Sequence, residues 1–294
     1  MGCGDTLLTL SANAKINLTL DILGTREDGY HEVAMIMQEI SLHDTLSMGK
    51  INQGISLTIA IEGQQGTLPA DESNLCWKAA ALVQKEYNLQ EGVEIHLTKR
   101  IPMAAGLAGG SADAAAVLKG MNHLFRLGMT EARLCELGAR LGSDIPFCIM
   151  GGTMLATGRG EVLTRLPRLP RLSVVLAKPP VGVSTAWAYK TYDAGYDGPH
   201  PDNEAMLAAI HEGDAHKAAG LLCNVLEGVT ETEHPVIADY KRLMLEHGAM
   251  ASMMSGSGPT VFGLVREKQQ AWHLADTLKK YDGEAGVFVA ETLG

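Results

Sequence analysis

The sequence is poor in the residue patterns that mark disulfide-rich and metal-bound domains. Its 294 residues include five cysteines, an odd number, and they lie at wide spacings with no Cys-x-x-Cys pair. These thiols indicate a reducing compartment and argue against a disulfide framework or a zinc site. The ten histidines form no His-Glu-x-x-His arrangement, which argues against a transition-metal centre.

Long apolar runs and an excess of positive charge are also missing. No apolar run reaches membrane-spanning length, and the first residues lack the basic-then-apolar pattern of a signal peptide. Residues 1–6 match the myristoylation pattern, but no polybasic patch supports it and we interpret the match as chance. The net charge of −10 argues against a nucleic-acid partner. We therefore expect a cytoplasmic protein with neither a membrane nor a nucleic-acid partner.

The length and the apolar content predict two domains with sizeable cores. Hydrophobic residues make up 46% of the 294 positions. The composition shifts at Pro167–Pro170, where arginines are interleaved with prolines, and this shift suggests a domain boundary. We predict an N-terminal domain over residues 1–165 and a C-terminal domain over residues 166–294. The arginines could bind anions or form a solvated linker.

The most informative stretch of the chain is the glycine-rich run Ile101–Ala116. It follows an extended run and precedes a helical one, and Gly106, Gly109 and Gly110 allow positive φ and close approach of another group. Ser111 is predicted to cap the helix, whose first amides would then point into the loop at the positive end of the helix dipole. This arrangement predicts a phosphate site. The run matches neither the P-loop nor the dinucleotide fingerprint, so a turn without a ligand is the alternative.

Three further stretches of the sequence carry polar residues that are either part of a functional site or structural. Lys15 and Asn17 are two apart in a predicted strand and share a face, which is either a site or a solvated surface. Tyr30 and His31 follow an Asp-Gly turn and form either a stacking platform or a loop anchor. Asp144 lies between a predicted helix and a predicted apolar strand, where it is either a fixed base or a carboxylate bonded to backbone amides.

Together these stretches resemble the GHMP kinase superfamily, which includes galactokinase, homoserine kinase and mevalonate kinase. Its three signature motifs are matched, in order and spacing, by Ala12–Leu18, Pro102–Ala116 and Met254–Pro259. Asp28–His31 and Gly142–Phe147 are similar to the branch that phosphorylates a cytidine diphosphate-linked methylerythritol in the non-mevalonate isoprenoid pathway. The alternatives are another small alcohol substrate, such as homoserine or mevalonate, and a nucleotide-binding regulator without chemistry.

The resemblance implies a fold and a reaction. The fold would be α+β, with an N-terminal domain like ribosomal protein S5 domain 2 and a ferredoxin-like C-terminal domain. The reaction would transfer the γ-phosphoryl group of ATP to a tertiary hydroxyl of a small-molecule substrate. Mg²⁺ is expected with the ATP phosphates, with Ser111 as one candidate protein ligand. A monomer or weak homodimer is expected.

The resemblance also implies roles for particular residues. Asp144 would take the proton of the acceptor hydroxyl, and Lys15 would keep that carboxylate ionised and favour the developing alkoxide. The residues implied for ATP are Asn74, Lys99, Pro102, Met103, Ala104, Ala105, Gly106, Leu107, Ala108, Gly109, Gly110, Ser111 and Ala112. Those implied for the acceptor substrate are Asn17, Tyr30, His31 and Tyr189. Ala105 and Ala108 stand where some relatives have glycine, and Ala112 stands where others have serine. Because alanine has a Cβ atom, we expect negative φ at these positions.

Overall fold

The computed structural model describes residues 7–64 and 66–294, which divide into two compact units. Unit 1 consists of the described part of Met1–Ala14, His43–Ile101 and Ala108–Met150. Unit 2 consists of Lys15–Leu42, Pro102–Leu107 and Gly151–Gly294. The myristoylation pattern at residues 1–6 lies outside the described residues. The family-domain boundary between residues 165 and 166 stays a prediction.

The described residues form eleven strands and ten helices. The strands are β1 Leu8–Thr25, β2 His31–Ile51, β3 Ile55–Ile61, β4 Gly92–Lys99, β5 Thr153–Thr157, β6 Val162–Arg165, β7 Ser173–Lys178, β8 Cys223–Asn224, β9 Ala251–Met254, β10 Val261–Val265 and β11 Gly286–Glu291. The helices are α1 Leu75–Tyr87, α2 Gly109–Leu124, α3 Glu131–Ala139, α4 Ile145–Met150, α5 Thr185–Asp193, α6 Asn203–Glu212, α7 Ala215–Gly220, α8 Val225–Glu233, α9 Val236–Glu246 and α10 Lys268–Tyr281.

In unit 1, helices cover strands that pair in both directions. β4 pairs in parallel with β3 and antiparallel with residues 45–51 of β2. Small side chains on α2 let its backbone come close to its neighbours, since Ala114, Ala115 and Ala116 are all at most 3% exposed. The side chain of Thr130 caps α3, as the sequence predicts, and that of Asn74 caps α1, where the sequence predicts either Ser73 or Asn74.

In unit 2, one sheet has four antiparallel strands in the order β11-β7-β10-β9. The central strand β7 is apolar on both faces, and Val174, Val175 and Leu176 are completely buried. Elsewhere in the unit β5 pairs antiparallel with residues 35–38 of β2, and β8 pairs in parallel with β1. Mixed sheets and helices in both units agree with the predicted α+β class.

Two short stretches differ from the sequence prediction. The run after Asp144, predicted as an apolar strand, is the helix α4, because a short buried apolar run has no period that separates strand from helix. Pro146 fits there, since a first-turn residue needs no amide hydrogen. The helix predicted over residues 215–225 is broken after Gly220, and α8 starts anew with the side chain of Asn224 as its cap.

The structure bears on the cysteine thiols and on the helices as candidate membrane spans. Cys76, Cys135, Cys148 and Cys223 are free thiols, which confirms the expectation for these four, while Cys3 lies outside the described residues. Within the described part of the chain, every helix is too short or too polar to cross a membrane.

Candidate functional site

The three motifs identified in the sequence meet in unit 2 at the carbonyl oxygen of Gly106. This oxygen accepts a hydrogen bond from Lys15 Nζ at 3.0 Å and another from Ser255 Oγ at 3.1 Å. The backbone amide of Lys15 also donates to the Leu107 carbonyl at 3.2 Å. The first and third motifs therefore fix the path of the glycine loop, although they are 91 and 149 positions away from Gly106.

The packing at this point leaves no room for a side chain on the loop. Gly106 has φ +73, and a Cβ placed on it would lie 2.1 Å from the Ser255 carbonyl oxygen. On the other side, a Cβ on Gly256 would lie 3.3 Å from Lys15 Nζ. The two glycine turns are therefore in direct backbone contact with each other and with the lysine.

Lys15 and Asn17 lie on one buried face of β1. Lys15 is 4% exposed and Asn17 is completely buried, so the alternative of a solvated strand face is wrong. Lys15 Nζ donates to Asn17 Oδ1 at 2.6 Å, and Asn17 Nδ2 lies 3.2 Å from the sulfur of Met35. These contacts orient the ammonium group on the buried face of the strand.

The glycine loop passes from one unit to the other. Pro102, Met103, Ala104, Ala105, Gly106 and Leu107 belong to unit 2, whereas Ala108, Gly109, Gly110, Ser111 and Ala112 belong to unit 1. Within unit 1, Ala112 is 2% exposed and packs into the core. Ser111 is partly exposed, and its hydroxyl has no hydrogen-bond partner in the described residues.

The start of α2 corrects two expectations. The helix begins at Gly109 after the N-cap Ala108, and no side chain caps it, so the prediction that Ser111 is the cap is wrong. Ala108 has φ +56 and Ala104 has φ +48, whereas we expected a negative φ at Ala108. An L-residue in this conformation costs about 1–2 kcal/mol. An uncapped helix start in a strained loop leaves backbone amides for an anion, which is the chemistry expected of a phosphate site.

A buried ionic cluster of unit 1 lies beneath this helix start. Lys99 Nζ donates to Asp113 at 2.7 Å and also to Asp44, and the three residues are at most 3% exposed. The second Asp44 oxygen accepts from the amide of Ile101 at 2.8 Å and from that of Arg100. The cluster therefore ties together β2, the end of β4 and the first turns of α2.

The cluster has one more carboxylate than it has ammonium groups. Burial raises the pKa of Asp113 to about 8, against the attraction of Lys99 and with help from the charge of Asp44. One Asp113 oxygen has no hydrogen-bond partner among the described residues. The pKa of Lys99 is raised because its two carboxylates outweigh the effect of burial. A Cβ on Gly109 would lie 2.9 Å from Lys99 Nζ, so the ammonium group lies directly under the start of α2.

Sequence reasoning missed Asp44 and Asp113. Asp113 did carry a signal, because it is a carboxylate inside an otherwise alanine-rich helical run, where an ionised group needs a partner. Asp44 carried no comparable signal, since only the strand pairing brings it to the end of β4.

Asn74 and Asp144, two further predicted site residues of unit 1, lie outside the ionic cluster. Asn74 Oδ1 accepts from the Cys76 amide at 2.8 Å, and Asn74 Nδ2 donates to the Pro69 carbonyl at 2.8 Å. Asp144 is partly exposed directly before α4, and its carboxylate has no hydrogen-bond partner within the described residues. The alternative in which Asp144 is bonded to backbone amides is therefore wrong.

The aromatic residues expected at the acceptor site belong to unit 2. His31 Nε2 lies 2.8 Å from Asp193 Oδ1, and the His31 ring packs on Tyr189 with centroids 4.8 Å apart and an interplanar angle of 37°. Tyr30 is 57% exposed, and the guanidinium of Arg159 lies 4.9 Å from its ring centroid. Sequence reasoning missed Asp193 and Arg159, although Asp193 follows Tyr189 by four positions on α5.

No group of three or more His, Cys, Asp or Glu side chains in the described part of the chain is arranged to hold a metal ion. An ion bound together with nucleotide phosphates does not require such a group, since Mg²⁺ in these sites takes one or two protein ligands. The partly exposed Ser111 hydroxyl in the first turn of α2 is one oxygen donor that fits this requirement.

Comparison with known protein families defines the class to which this site belongs. The profile of the "GHMP kinases N terminal domain" matches residues 74–152, and that of "GHMP kinases C terminal" matches residues 206–282. A homoserine kinase from Cytophaga hutchinsonii has the same fold, with a TM-score of 0.76 at 21% identity, 100% of this chain and 96% of that chain being covered. The class is that of the GHMP small-molecule kinases.

Relatives that match over nearly the whole chain identify the family within the GHMP kinases to which it belongs. A 4-diphosphocytidyl-2-C-methyl-D-erythritol kinase of Acetivibrio thermocellus is 48% identical over 97% of this chain and 99% of its own length. That of Pelotomaculum thermopropionicum is 48% identical over 94% of this chain and 95% of its own. A crystal structure of a 4-(cytidine 5'-diphospho)-2C-methyl-D-erythritol kinase, 32% identical, has a TM-score of 0.82 and covers 98% of this chain and 100% of its own. The chain belongs to the 4-diphosphocytidyl-2-C-methyl-D-erythritol kinase family.

Proposed function

We propose that this chain transfers the γ-phosphoryl group of ATP to the 2-hydroxyl of 4-diphosphocytidyl-2-C-methyl-D-erythritol, in the non-mevalonate isoprenoid precursor pathway. The observation that carries the proposal is the 48% identity with a kinase of that name over 97% of this chain. The hydrogen bonds that join Lys15 and Ser255 to the glycine loop support it, because they use all three motifs of the class.

The reaction needs positioning and charge stabilisation more than covalent chemistry. The acceptor oxygen bonds to the γ-phosphorus while the bond from that phosphorus to the β–γ bridging oxygen breaks, and ADP leaves. In our proposal the Asp144 carboxylate accepts the hydroxyl proton, and the Lys15 ammonium stabilises negative charge on the acceptor oxygen. The burial of Lys15 supports this role, because a charge acts more strongly where water is excluded.

The glycine loop is proposed to hold the ATP phosphates. The amides near the uncapped start of α2, Gly109 to Ser111, would donate to phosphate oxygens. Mg²⁺ would be held by the phosphates and by the Ser111 hydroxyl, and when bound it would neutralise part of the phosphate charge. Asn74 and Lys99 are proposed to border the nucleoside end, where their existing hydrogen bonds would keep the wall of the site rigid.

The acceptor substrate is proposed to bind through its base and its alcohol. Tyr30 and Tyr189 would stack on the cytosine, and His31 would bond to its edge. Asn17 would keep the Lys15 ammonium oriented towards the alcohol, a role that its 2.6 Å hydrogen bond to Lys15 Nζ supports.

The proposal also concerns the environment of the enzyme. We place it in the cytoplasm, where thiols such as the four free cysteines of the described residues stay reduced. We propose a monomer or a weak homodimer that acts on a small molecule and on no nucleic acid, in line with the net charge of −10.

The test is a coupled assay of ADP release with Mg-ATP and each candidate acceptor. We expect turnover with the cytidylyl substrate and none with homoserine or mevalonate. Asp144→Asn should lower kcat roughly 10²- to 10⁴-fold because it removes the base, while ATP still binds. Asp276→Asn, which changes an exposed carboxylate of α10, is the matched control.

Two outcomes would contradict the proposal. Turnover with homoserine or mevalonate in place of the cytidylyl substrate would assign a different acceptor. ATP binding with no acceptor-stimulated ADP release would indicate a nucleotide-binding regulator. Near-parent activity of Asp144→Asn would leave the acceptor assignment intact and remove Asp144 as the base.

A further inference from the structure

The side chain of Asn224 joins three segments of unit 2. Asn224 ends β8, which pairs with β1 so that Asn224 lies opposite Leu20. Its Oδ1 accepts from the amide of Leu226 at 3.0 Å and caps α8. Its Nδ2 donates to the carbonyl oxygens of Met254, at 2.9 Å, and of Gly256, at 2.8 Å. Because Asn224 is only 5% exposed, bulk water does not compete for these hydrogen bonds.

The two carbonyl groups lie on either side of Ser255, so one side-chain amide holds the chain before and after this serine. A second side chain of α8 assists, since Glu227 Oε2 accepts from the amide of Met254 at 2.6 Å. Glu227 is the third residue of α8, three positions after its cap. The start of α8 therefore holds the end of β9 and the turn that follows it.

The residue held in this way shares a hydrogen-bond acceptor with Lys15. Ser255 Oγ donates to the Gly106 carbonyl oxygen at 3.1 Å, and Lys15 Nζ donates to the same oxygen at 3.0 Å. The oxygen has two lone pairs and can accept both bonds. Ser255 is completely buried, and a Cβ on Gly256 would lie 3.3 Å from Lys15 Nζ. A shift of the turn would therefore break the serine bond or displace the ammonium group.

We infer that Asn224 is a positioning residue, which acts on the Lys15 ammonium group through the hydrogen bond from Ser255 to Gly106. The inference rests on the proposed function, in which Lys15 stabilises negative charge on the acceptor oxygen. A misplacement of about 1 Å can lower the rate of a reaction roughly 10²-fold. Loss of the two hydrogen bonds from Asn224 should therefore lower kcat more than it weakens the binding of either substrate.

The variant Asn224→Ser separates the cap of α8 from the two bonds to the turn. Serine is also a good N-cap, but its single O–H can donate to at most one carbonyl oxygen. We expect kcat to fall roughly 10- to 100-fold, while the KM values for Mg-ATP and for the cytidylyl substrate stay within about threefold of those of the parent protein. The coupled assay of ADP release measures these constants.

A second variant, Asn224→Asp, keeps the size of the side chain and the oxygen that caps α8. It replaces the donor to both carbonyl groups by an oxygen, so kcat should fall at least as far as in Asn224→Ser. Near-parent kcat in either variant would overturn the inference. A higher KM with unchanged kcat would do the same.

The variant Tyr240→Phe controls for a loss of stability alone. The buried Tyr240 hydroxyl donates to Asp282, and its removal breaks a hydrogen bond outside both glycine turns. We expect parent kcat in this variant, with a lower midpoint of urea denaturation. If Tyr240→Phe lowered kcat as much as Asn224→Ser at a similar midpoint, Asn224 would act through the stability of the fold and the inference would be overturned.

The variant Ser255→Ala tests the path from Asn224 to the lysine. It removes the hydroxyl that bonds to Gly106, so its own kcat should fall about as far as that of Asn224→Ser. In the Ser255→Ala background, Asn224→Ser should lower kcat less than about twofold further. Equal fold-changes in the two backgrounds, or near-parent kcat in Ser255→Ala, would overturn the inference and leave the kinase function standing. Parent protein that does not phosphorylate the cytidylyl substrate would instead refute the proposed function.

Discussion

The two buried lysines of this chain have nearly the same exposure and very different partners. Lys15, 4% exposed, donates within unit 2 to the carboxamide of Asn17 and to the Gly106 carbonyl, both of which are neutral. Lys99, 3% exposed, donates within unit 1 to the carboxylates of Asp44 and Asp113. Burial alone therefore does not indicate what a lysine does.

The two lysines differ in the charge of the groups to which they donate these hydrogen bonds. The Asn17 and Gly106 oxygens orient the Lys15 ammonium group and carry no formal charge themselves, which suits Lys15 to act on negative charge that develops on a substrate. Carboxylates cancel the charge inside the protein, so Lys99 is suited to hold chain segments together. Replacing each lysine should therefore produce different losses.

The largest expected effect is on turnover in Lys15→Met. Methionine keeps the length of the side chain and removes the charge, so kcat should fall by several orders of magnitude while ATP still binds. The free energy of unfolding should fall by less than in Lys99→Met, because the hydrogen bonds to Asn17 and Gly106 are bonds to neutral oxygens. Steady-state kinetics, ATP titration and urea denaturation measure these quantities. Near-parent turnover would remove Lys15 from the mechanism.

The next effect is on stability in Lys99→Met. This change leaves the carboxylates of Asp44 and Asp113 buried without their cation, which should lower the free energy of unfolding by about 3–5 kcal/mol. Urea denaturation of the whole chain measures the loss.

A matched control for both lysines is Lys50→Met. Lys50 lies on the surface and its ammonium is 3.3 Å from Glu91, so its loss should cost at most about 1 kcal/mol. If Lys99→Met were no less stable than Lys50→Met, the two buried lysines would not differ in the way proposed.

A further effect is a change in the pH dependence of stability in Asp113→Asn. Because the pKa of Asp113 is raised from 3.8 to about 8 by burial, the folded state holds a proton that the unfolded state releases. This contribution to stability is fully present below pH 3.8, is lost progressively as the pH rises, and is absent above about pH 8. The parent protein should therefore lose stability relative to Asp113→Asn across this range.

Urea denaturation of both proteins from pH 5 to pH 9 measures that difference. Groups that titrate alike in both proteins contribute equally to the two curves of unfolding free energy against pH. The difference between the curves is therefore the contribution of Asp113. Parallel curves would indicate that the Asp113 carboxyl stays ionised within the cluster, and that Lys99 compensates both carboxylates together.

Much of the fold could be read from local patterns in the sequence. Glycine bends on both sides predict a strand at Thr153–Thr157, the bounds that β5 has. Thr130 is predicted and observed as the N-cap of α3, and for α1 the structure uses Asn74 of the two predicted candidates, Ser73 and Asn74, because capping depends on neighbouring residues. The errors fall where local signals are weak or are overridden. The short apolar run of α4 had no distinguishing period, and the backbone of Ala108 adopts a conformation that its own side chain disfavours.

The candidate site was predictable to the extent that it consists of motifs. Lys15, Asn17 and the glycine loop could be named because their residue types and spacing resemble a known class. Sequence motifs do not identify Asp44, Asp193 or Asn224, because each of them acts through a contact with a residue far away in the sequence. Asn224, for example, donates from its amide to the carbonyls of Met254 and Gly256.

The sequence by itself determined the class of protein, the candidate chemistry and most of the secondary structure, since these depend on residue types and on short-range spacing. Only the tertiary structure decided which groups each buried lysine and the His31 imidazole contact. Those properties depend on distances of about 3 Å between atoms that the chain brings together from far apart, and hydrogen bonds and ion pairs weaken steeply beyond such distances.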